Sequence, residues 1–560
     1  MSIDNCIESL GGHSAPVAGA RAKKACGIVN FVNNAQKLDN ASLSNKRHGL
    51  SGKKEYGDWQ TNMELALNVC RMLKKQGWRP QVLVEPTCGK GNFILAALQT
   101  FDSIEVVYGV EINGAYLEVL KNRLSEYYAE YPERPKANIN LYHSSIFDFD
   151  LSLIKREING REILVVGNPP WVTNSSMGRI QSENLPVKSN FKNVKGVSAL
   201  TGKGNFDIAE YICIQMIKLL SGENARLALL VKNSVIKNII YEQRRVGFPA
   251  DKITQYNIDA DKEFGASVSA SLLSVDFGNE ITKKCEVRNF YTAKQICEYG
   301  WVDDCFVSDT EAYMTNRQID GTCQLEWWSG LKHDCSKVME LTPADGKLVN
   351  GFGRIVDVEP DLVYPLVKSS DIKQDKIENT RKYVIVPQKS VSDDTSRLAY
   401  THPKAYDYLT EYSYLLDNRG SSIYKKRPRF CLFGIGDYSF SKYKVVVSGL
   451  YKHTQFSLVG FVGGKPVMLD DTCYLLGFDD YAIAHSVLRL LNSAPVQEFI
   501  HSLCFADAKR VINKEILMRI DLQKALEHVP LDSIGINLTE RDRLVSYLKA
   551  REVPRLAMLF

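Results

Sequence analysis

Short apolar runs alternate with longer amphipathic segments through the first half of the chain. Four runs have the length and composition of buried strands, at residues 81–84, 106–110, 139–143 and 163–166. Between them, apolar residues recur at helical spacing, as in the segment containing Leu65, Val69 and Leu73 and in the one that begins at Ile94. Strands that alternate with helices form parallel sheets covered on both faces. The pattern therefore predicts an α/β fold with a parallel, doubly wound sheet.

The pattern changes after Asn279. Residues 340 to 450 alternate short strands with turns, and strands are predicted at 355–358, 383–386 and 443–447. Helical periodicity returns from Ala482. This second half predicts a mixed α+β domain. We divide the chain into an N-terminal extension of residues 1–45, which carries small and polar residues and is expected to be flexible in part, a first domain of residues 46–325 and a second of residues 326–560.

Composition narrows the class of protein. The chain has 560 residues, of which 44% are hydrophobic and 24% charged, as in ordinary soluble proteins. We expect no membrane segment, because no apolar run approaches the roughly 18 residues that a spanning helix needs. The thirteen cysteines form no Cys-x-x-Cys pair, so we expect reduced core thiols and no metal site. A net charge of +5 permits a nucleic-acid partner without requiring one.

The turns that follow the first two predicted strands favour a nucleoside-containing ligand. The first turn is Glu85-Pro86-Thr87-Cys88-Gly89-Lys90-Gly91, whose glycines let the backbone approach a ligand closely. The second strand leads to Glu111, whose carboxylate can accept hydrogen bonds from both hydroxyls of a ribose. The first turn lacks the G-x-G-x-x-G spacing that binds a pyrophosphate. These residues therefore favour an adenosine-containing cofactor without phosphate, such as S-adenosylmethionine.

A stiff turn rich in acceptors follows the fourth predicted strand. It reads Gly167-Asn168-Pro169-Pro170-Trp171, and the carboxyl end of a strand is where ligands bind in open α/β sheets. The two prolines remove two backbone donors, Asn168 adds a side-chain carbonyl and Trp171 adds a flat aromatic face. Such a turn can grip a planar amino group, although Asn-Pro pairs also form ordinary turns.

Together these motifs resemble the cofactor and catalytic motifs of N6-adenine DNA methyltransferases. The cofactor motif precedes the catalytic motif and the recognition domain comes last, which is similar to the gamma class that includes modification enzymes of type II restriction systems. Three further segments resemble motifs of this family: Gly57 to Thr61, Gly204 to Ile208 and Lys262 to Ala270. The resemblance covers residues 50 to 280 motif by motif and implies a Rossmann-like methyltransferase domain followed by a target-recognition domain.

The resemblance also implies roles for individual residues. The cofactor S-adenosylmethionine would be bound by Thr61, Glu85, Pro86, Thr87, Gly89, Gly91, Glu111, Ile112, Ser145, Ile146, Asp148 and Asn168. Catalysis would fall to Asn168, Pro169, Pro170 and Trp171, and Phe264 would help to hold the target base. The family usually has an acidic residue at the position of Ser145, so either Ser145 or Asp148 contacts the cofactor adenine.

Basic and aromatic residues concentrate between Ser421 and His453. Cations suit phosphates and aromatic rings suit bases or sugars, so this stretch is predicted to contact DNA, although a solvated strand pair with core aromatics has the same composition. The predicted DNA contacts are Lys425, Lys426, Arg427, Arg429, Lys442, Tyr443 and Lys444, together with Lys203, Lys509 and Arg510 elsewhere in the chain. Lys203 ends a polar stretch after Val172 that is either a lid over DNA or a plain surface insertion.

The sequence thus predicts a site-specific methyltransferase that acts on N6 of adenine in duplex DNA, as a restriction–modification or orphan modification enzyme. The target base must be flipped out of the duplex to reach such a pocket. The alternatives are methylation of an RNA base or of a protein glutamine, and a DNA-binding subunit with a decayed cofactor site. The expected partners are double-stranded DNA and, if cleavage is paired with this activity, a separate restriction endonuclease. The expected location is the cytoplasm of a bacterial or archaeal cell, on the nucleoid through DNA.

Overall fold

The computed structural model describes residues 61–156, 160–172, 207–265, 268–425, 427–451, 454–505 and 510–551, together with the backbone of residues 28–33. The chain divides into two compact units, Met1–Cys305 and Phe306–Phe560. The predicted lid after Val172, with Lys203, lies outside the described residues, and so do Lys426 and Lys509. No helix in the described part of the chain is long and apolar enough to cross a membrane.

The first unit is built on one large sheet. Its strands are β1 (Ile28–Asn33), β2 (Val82–Glu85), β3 (Val106–Glu111), β4 (Asn138–His143), β5 (Ile163–Gly167), β6 (Ala225–Lys232), β7 (Lys252–Asn257), β8 (Ala270–Asp276), β9 (Lys284–Asn289), β10 (Gln295–Val302) and β11 (Cys305–Val307). Its helices are α1 (Met63–Lys75), α2 (Asn92–Thr100), α3 (Gly114–Glu130), α4 (Ser152–Lys155), α5 (Ile208–Leu220), α6 (Asn233–Val246) and α7 (Ala260–Phe264). Within the described residues, the strand order is β1-β4-β3-β2-β5-β6-β8-β7-β9-β10-β11.

The first six strands of this sheet run parallel to their neighbours, and β8 pairs antiparallel with β6 and β7. Strands β2, β3 and β5 are buried along their whole length, as in parallel strands covered on both faces. Helix α1 buries Leu65, Val69 and Leu73 on one face. The predicted doubly wound α/β fold is therefore confirmed.

The order of the strands determines where a site can form. From β2 the chain proceeds to β3 and β4 on one side, then crosses to β5 and β6 on the other. Loops that leave β2 and β5 in opposite directions open a crevice at the carboxyl edge, which is where ligands bind in such sheets. Both of the motifs singled out in the sequence, the glycine turn after β2 and the Asn-Pro-Pro-Trp turn after β5, follow these two strands.

The extension predicted at residues 1–45 contains a strand that the sequence pattern did not reveal. Strand β1 pairs in parallel with β4 at the edge of the sheet, with Phe31 opposite Leu141 and Asn33 opposite His143. An edge strand needs partners on one side alone, so a short segment without sustained periodicity can fill the place.

The second unit contains two five-stranded sheets and a hairpin among the described residues. Its strands are β12 (Trp328–Ser329), β13 (Glu340–Ala344), β14 (Lys347–Val349), β15 (Val363–Val367), β16 (Lys376–Ile377), β17 (Lys382–Ile385), β18 (Tyr443–Ser448), β19 (Phe456–Val459), β20 (Phe461–Val462), β21 (Lys465–Pro466), β22 (Met468–Leu469) and β23 (Cys473–Phe478). The sheets have the orders β12-β23-β18-β19-β16 and β14-β13-β17-β15-β22. This arrangement confirms the predicted mixed α+β class.

Helices complete the second unit, mostly in its C-terminal part. They are α8 (Thr310–Asn316), α9 (Ser336–Met339), α10 (Leu398–Thr401), α11 (Pro403–Glu411), α12 (Ser413–Asp417), α13 (Tyr481–Leu491), α14 (Ala494–Leu503), α15 (Lys514–Met518), α16 (Leu522–His528) and α17 (Leu538–Lys549). Residues 308–325, which follow β11, belong to this unit, because Ser308 N donates to Ser502 O over 2.6 Å and Asp320 pairs with Arg519. The boundary predicted from the sequence pattern lies between residues 325 and 326.

One predicted strand of the second unit is wrong. Residues 355–358 form no strand, and Ile355 makes an isolated bridge with Val349. Val356 and Val358 nevertheless bury their side chains in a core cluster with Leu341. The alternation of apolar residues therefore reflects the burial of these two side chains. It does not require that the segment pair with a neighbouring strand. Strands β17 and β18 lie within one residue of the predicted ends, and α13 begins one residue before Ala482, where helical periodicity is predicted to return.

Candidate functional site

The glycine turn after β2 has a backbone that side chains would disturb. Gly89 and Gly91 both have positive φ, +50° and +78° respectively. A Cβ atom at Gly91 would lie 2.1 Å from Leu120 Cδ1, so a larger residue would require the Leu120 side chain of α3 to move. Cys88 N donates to Val110 O over 2.9 Å, which fixes the turn against the end of β3. The glycines therefore keep the turn tight and leave its backbone open to a ligand.

Glu111 joins this turn to the end of β3. Its side chain is 9% exposed, and Oε2 accepts from Gly89 N over 2.8 Å while Oε1 accepts from Asn113 N over 2.8 Å. Each carboxylate oxygen has a second lone pair beyond these bonds. The two cofactor motifs that the sequence separates by a helix are thus in direct contact, and the carboxylate is held in one orientation.

Glu85 lies at the junction of β2 and β5. Its Oε2 accepts from Ile94 N over 3.2 Å, and a Cβ atom at Gly167 would lie 3.3 Å from Glu85 Cγ. Burial raises the pKa of Glu85 well above its usual range, and the charge of Glu111 raises it further, against the opposing effect of the Ile94 N–H. Strand β5 ends at Gly167, immediately before Asn168, and this end lies beside the Glu85 carboxyl group, which favours its neutral form.

Two predicted cofactor-binding threonines have buried hydroxyls without partners among the described residues. Thr61 Oγ1 and Thr87 Oγ1 make no hydrogen bond to any residue that the structure describes. Thr61 is tied to the glycine turn through its backbone, because Asn92 Nδ2 donates to Thr61 O over 2.5 Å. A buried hydroxyl without a partner costs free energy, so polar atoms of a ligand would satisfy these two groups.

The turn after β4 completes this edge of the site. Ser144 N donates to Glu111 O over 3.0 Å, which places the turn beside the acidic end of β3. Ser145 is buried and its hydroxyl accepts from Phe147 N over 3.2 Å, whereas Asp148 is exposed. Ile112 O lies 3.1 Å from His143 Nε2. The two candidates for an adenine contact therefore differ in burial, and both lie in the same turn.

The Asn-Pro-Pro-Trp turn brings two predicted base-contacting aromatics together. Trp171 is 6% exposed and its Nε1 donates to Leu230 O of β6 over 3.1 Å. Its ring packs edge-to-face against Phe264 at the end of α7, with ring centroids 5.0 Å apart and an angle of 71°. The side chain of Asn168 and the carbonyl of Pro169 follow the buried β5 directly, ahead of this aromatic pair.

The predicted DNA contacts of the second unit fall into different environments. Lys425, Arg427 and Lys442 are exposed. Arg429 makes a two-pronged ion pair with Asp417, with Nε 2.9 Å from Oδ1, and Arg510 Nη2 lies 3.2 Å from Asp471 Oδ2. The ring of Tyr443 packs on Tyr481 with centroids 5.4 Å apart. The exposed cations keep their charge toward solvent, while the two paired arginines are neutralised by acids.

Lys444 is not at the surface, which corrects its assignment as a phosphate contact. It is 1% exposed in the middle of its sheet, and its Nζ donates to Ser441 O over 3.0 Å. Burial lowers the pKa of Lys444 to about 7. In the pleated strand Tyr443 and Lys444 point to opposite faces, so the composition of the stretch could not show which residue turns inward.

The structure also reveals polar and aromatic contacts that sequence spacing does not indicate. Glu263 accepts hydrogen bonds from Asn62 and Tyr291, which come from distant segments of the first unit. In the second unit, Trp328 stacks on Tyr438 with ring centroids 4.4 Å apart and planes at 5°. Among the residues described, no group of three or more His, Cys, Asp or Glu side chains could hold a metal ion.

Known proteins resemble this chain at the level of sequence in one case and at the level of fold in another. No protein-family model matches the chain. The type II methyltransferase M.NspV of Nostoc sp. (strain ATCC 29411 / PCC 7524) is 39% identical over 478 residues, which cover 84% of this chain and 97% of that protein. A solved structure of the type IIL restriction-modification enzyme MmeI in complex with DNA has a TM-score of 0.50 and 12% identity, covering 93% of this chain and 75% of that one. The second match establishes a shared fold alone.

Proposed function

The chain belongs to the type II methyltransferases of restriction–modification systems, and from this premise we propose that it methylates N6 of adenine in duplex DNA. The proposal includes S-adenosylmethionine as the methyl donor, extrusion of the target base and a cytoplasmic location at the nucleoid. Any paired cleavage would come from a separate endonuclease. The match covers 97% of the methyltransferase from Nostoc, so it includes nearly the full length of that protein.

The observation that carries the proposal is the position of the acceptor turn. Asn168 and Pro169 follow β5 at the point where the strand order reverses, and Gly167 packs beside Glu85 at the end of β2. The acceptor pair follows a glycine that packs on the first residue of the glycine turn, and Glu111 accepts from Gly89 of that turn, which supports a shared site. Proximity of the two reacting groups is the main requirement of this transfer, because alignment for in-line attack supplies much of the rate.

The chain's own residues would act on the amino group. The side-chain carbonyl of Asn168 and the backbone carbonyl of Pro169 can each accept one N–H of the exocyclic amine, which returns electron density to a nitrogen whose lone pair is delocalised into the ring. Trp171 and Phe264 offer the aromatic surface for the extruded base, and base stacking contributes about 1–3 kcal/mol. No strong base is required, because the methylated ammonium is acidic and loses its proton to water.

The cofactor side fits S-adenosylmethionine by the chemistry of its groups. Glu111 can accept hydrogen bonds from the two ribose hydroxyls, and the hydroxyls of Thr61 and Thr87 are buried without described partners. The turn has no pyrophosphate cradle, which suits a nucleoside that carries no phosphate. When bound, S-adenosylmethionine supplies a methyl group already activated by its sulfonium. Ser145, Ile146 and Asp148 are the candidates for the adenine end.

Duplex DNA as the partner is supported by the surface and by the relatives. Lys425, Arg427 and Lys442 expose their charges in the second unit, where phosphates can reach them. The MmeI structure that shares the fold contains DNA. Methylation of an RNA base or of a glutamine amide remains the second candidate, because the acceptor turn itself would hold any planar amine.

The test measures transfer of a labelled methyl group by the purified full-length protein. Unmodified genomic DNA, total RNA and denatured protein extract are the three acceptors, and we expect incorporation into duplex DNA. Asn168→Ala should abolish the transfer, while calorimetry should still detect binding of S-adenosylmethionine through the other cofactor residues. Asn279→Ala removes an exposed amide outside the site and should leave both unchanged. Incorporation confined to RNA or protein would overturn the proposal, and so would normal turnover by the Asn168 variant.

A further inference from the structure

Three polar side chains from distant segments meet beside the site. Asn62 precedes α1, Glu263 lies in α7 and Tyr291 follows β9. Glu263 Oε2 accepts from Asn62 Nδ2 over 3.1 Å, and Glu263 Oε1 accepts from the Tyr291 hydroxyl over 2.9 Å. The Glu263 carboxylate therefore uses one oxygen for Asn62, which is 201 residues away in the chain, and the other for Tyr291, which is 28 residues away.

Each partner of Glu263 is held in place by its own bonds. Asn62 Oδ1 caps α1 by accepting from Leu65 N over 2.7 Å, which fixes the amide so that Nδ2 faces Glu263. Asn289 Oδ1 accepts from the backbone N–H groups of Tyr291 and Thr292 over 3.0 and 2.9 Å. This turn directs the tyrosine ring, and burial together with the Glu263 hydrogen bond raises the pKa of Tyr291 to about 12. The tyrosine hydroxyl thus remains a donor.

The residues next to this cluster are those assigned to the cofactor and to the target base. Thr61 precedes Asn62 and is bonded through its carbonyl to Asn92 at the start of α2. Phe264 follows Glu263 and packs against Trp171. One connected series of contacts therefore runs from the glycine turn, through α1 and α7, to the aromatic pair.

We propose that Glu263 is a positioning residue that couples the cofactor-contacting Thr61 to the base-holding Phe264. This inference rests on the proposed function. Cofactor bound at Thr61 would favour the ordered start of α1, and the Asn62–Glu263 bond would transmit that order to Phe264. Since coupling between two sites is reciprocal, an ordered Phe264 would favour cofactor binding equally. Loss of the bond should therefore weaken cofactor binding and slow methyl transfer together.

The geometry offers a rescue experiment that a general loss of stability cannot imitate. Asn62→Asp keeps an acceptor that can cap α1 but removes the donor and places a carboxylate against Glu263. Glu263→Gln keeps the acceptor for Tyr291 but turns an amide N–H group toward Asn62. In the double variant, the glutamine amide can donate to the aspartate carboxylate and its carbonyl can still accept from Tyr291. The direction of the bond is reversed and the connection is restored.

Steady-state methylation of unmodified genomic DNA by the full-length protein provides the readout. Each single variant should raise KM for S-adenosylmethionine and lower kcat, each by about five- to tenfold, as expected for one hydrogen bond to a charged group. The double variant should recover most of both losses. Asp261→Asn, which makes the same chemical change on α7 at a carboxylate without a described side-chain partner, should behave like the wild type.

The outcomes separate this inference from the proposed function. If the wild type transfers no methyl group to DNA, the proposed function fails. If the wild type is active and the single variants match it in KM and kcat, the coupling role alone is refuted. Impaired single variants without recovery in the double variant would also refute it, because a direct pairing must respond to reversal.

Discussion

A buried lysine in the second unit allows the sharpest quantitative test of the structure. Lys444 lies opposite Val459 and Gly477 in neighbouring strands of its sheet, and its ammonium group donates to Ser441 O. No ion pair to Lys444 occurs among the residues that the structure describes. Desolvation alone lowers its pKa to about 7.

The sign of the effect follows from proton binding. An unfolded lysine has a pKa near 10.4, so between about pH 7 and pH 10 the unfolded chain binds a proton that the folded chain does not. The free energy of unfolding therefore rises with pH in that window, by about 1.4 kcal/mol for each unit. Over the three pH units of this window the free energy of unfolding therefore rises by about 4 kcal/mol. The cost of the buried charge is complete below pH 7.

Lys444→Met replaces the amine by an apolar side chain of similar length and should remove this pH dependence. The difference in free energy of unfolding between the variant and the wild type should be about 3 kcal/mol more favourable to the variant at pH 7 than at pH 9.5. Urea unfolding of the full-length protein at several pH values, followed by tryptophan fluorescence, measures this difference. The buried Trp327, which packs on Phe456 with ring centroids 5.9 Å apart, provides a reporter in the same unit.

The matched control is Lys442→Met, two residues away and exposed. It should leave the pH dependence of unfolding unchanged and weaken DNA binding, whereas Lys444→Met should leave DNA binding unchanged. The same pH slope in Lys444→Met as in the wild type would refute the buried environment. If Lys444→Met lost DNA affinity and kept the wild-type pH dependence of unfolding, Lys444 would instead be an exposed DNA contact.

Three further changes test the site and the DNA surface. Gly91→Ala forces alanine into a φ of +78° and places its Cβ 2.1 Å from Leu120 Cδ1. The temperature of thermal unfolding should therefore fall by several degrees, and cofactor affinity should fall with it. An unchanged unfolding temperature and affinity would contradict the tight turn. In Glu85→Gln the buried group cannot ionise. Above about pH 4.3 the unfolded wild type loses the Glu85 proton while the folded wild type keeps it, so the Tm of the variant relative to the wild type should increase as pH rises. A constant difference in Tm would argue against the raised pKa. Lys425→Ala and Arg427→Ala should each reduce the slope of log affinity for DNA against log salt by about 1, and an unchanged slope would exclude a phosphate contact.

The sequence revealed those parts of the fold that depend on local periodicity and turn chemistry. Buried parallel strands give apolar runs, so β2, β3 and β5 were predictable, and the ligand-facing turns follow from where those strands end. In contrast, β1 is a short edge strand whose pairing with β4 depends on the finished sheet. Val356 and Val358 alternate like a strand and are buried without forming one.

Side-chain environments in the site were harder to predict. The motifs suggested that Trp171 and Phe264 act on one base, and the structure packs their rings together, although nothing in their spacing requires it. Glu263 and Asn62 are 201 residues apart, so their bond is a product of tertiary structure. Lys444 has the composition of a DNA contact and the burial of a core residue, because the pleat of β18 turns it inward.

The central claim is the identity of the methylated base. The most direct measurement is mass spectrometry of nucleosides from DNA of a host that lacks adenine methylation, after expression of the wild type or of Asn168→Ala. The proposed function predicts N6-methyladenine in DNA from cells with the wild type and none above background with the variant. Methylated cytosine in place of methyladenine, or equal methyladenine in both samples, would contradict it.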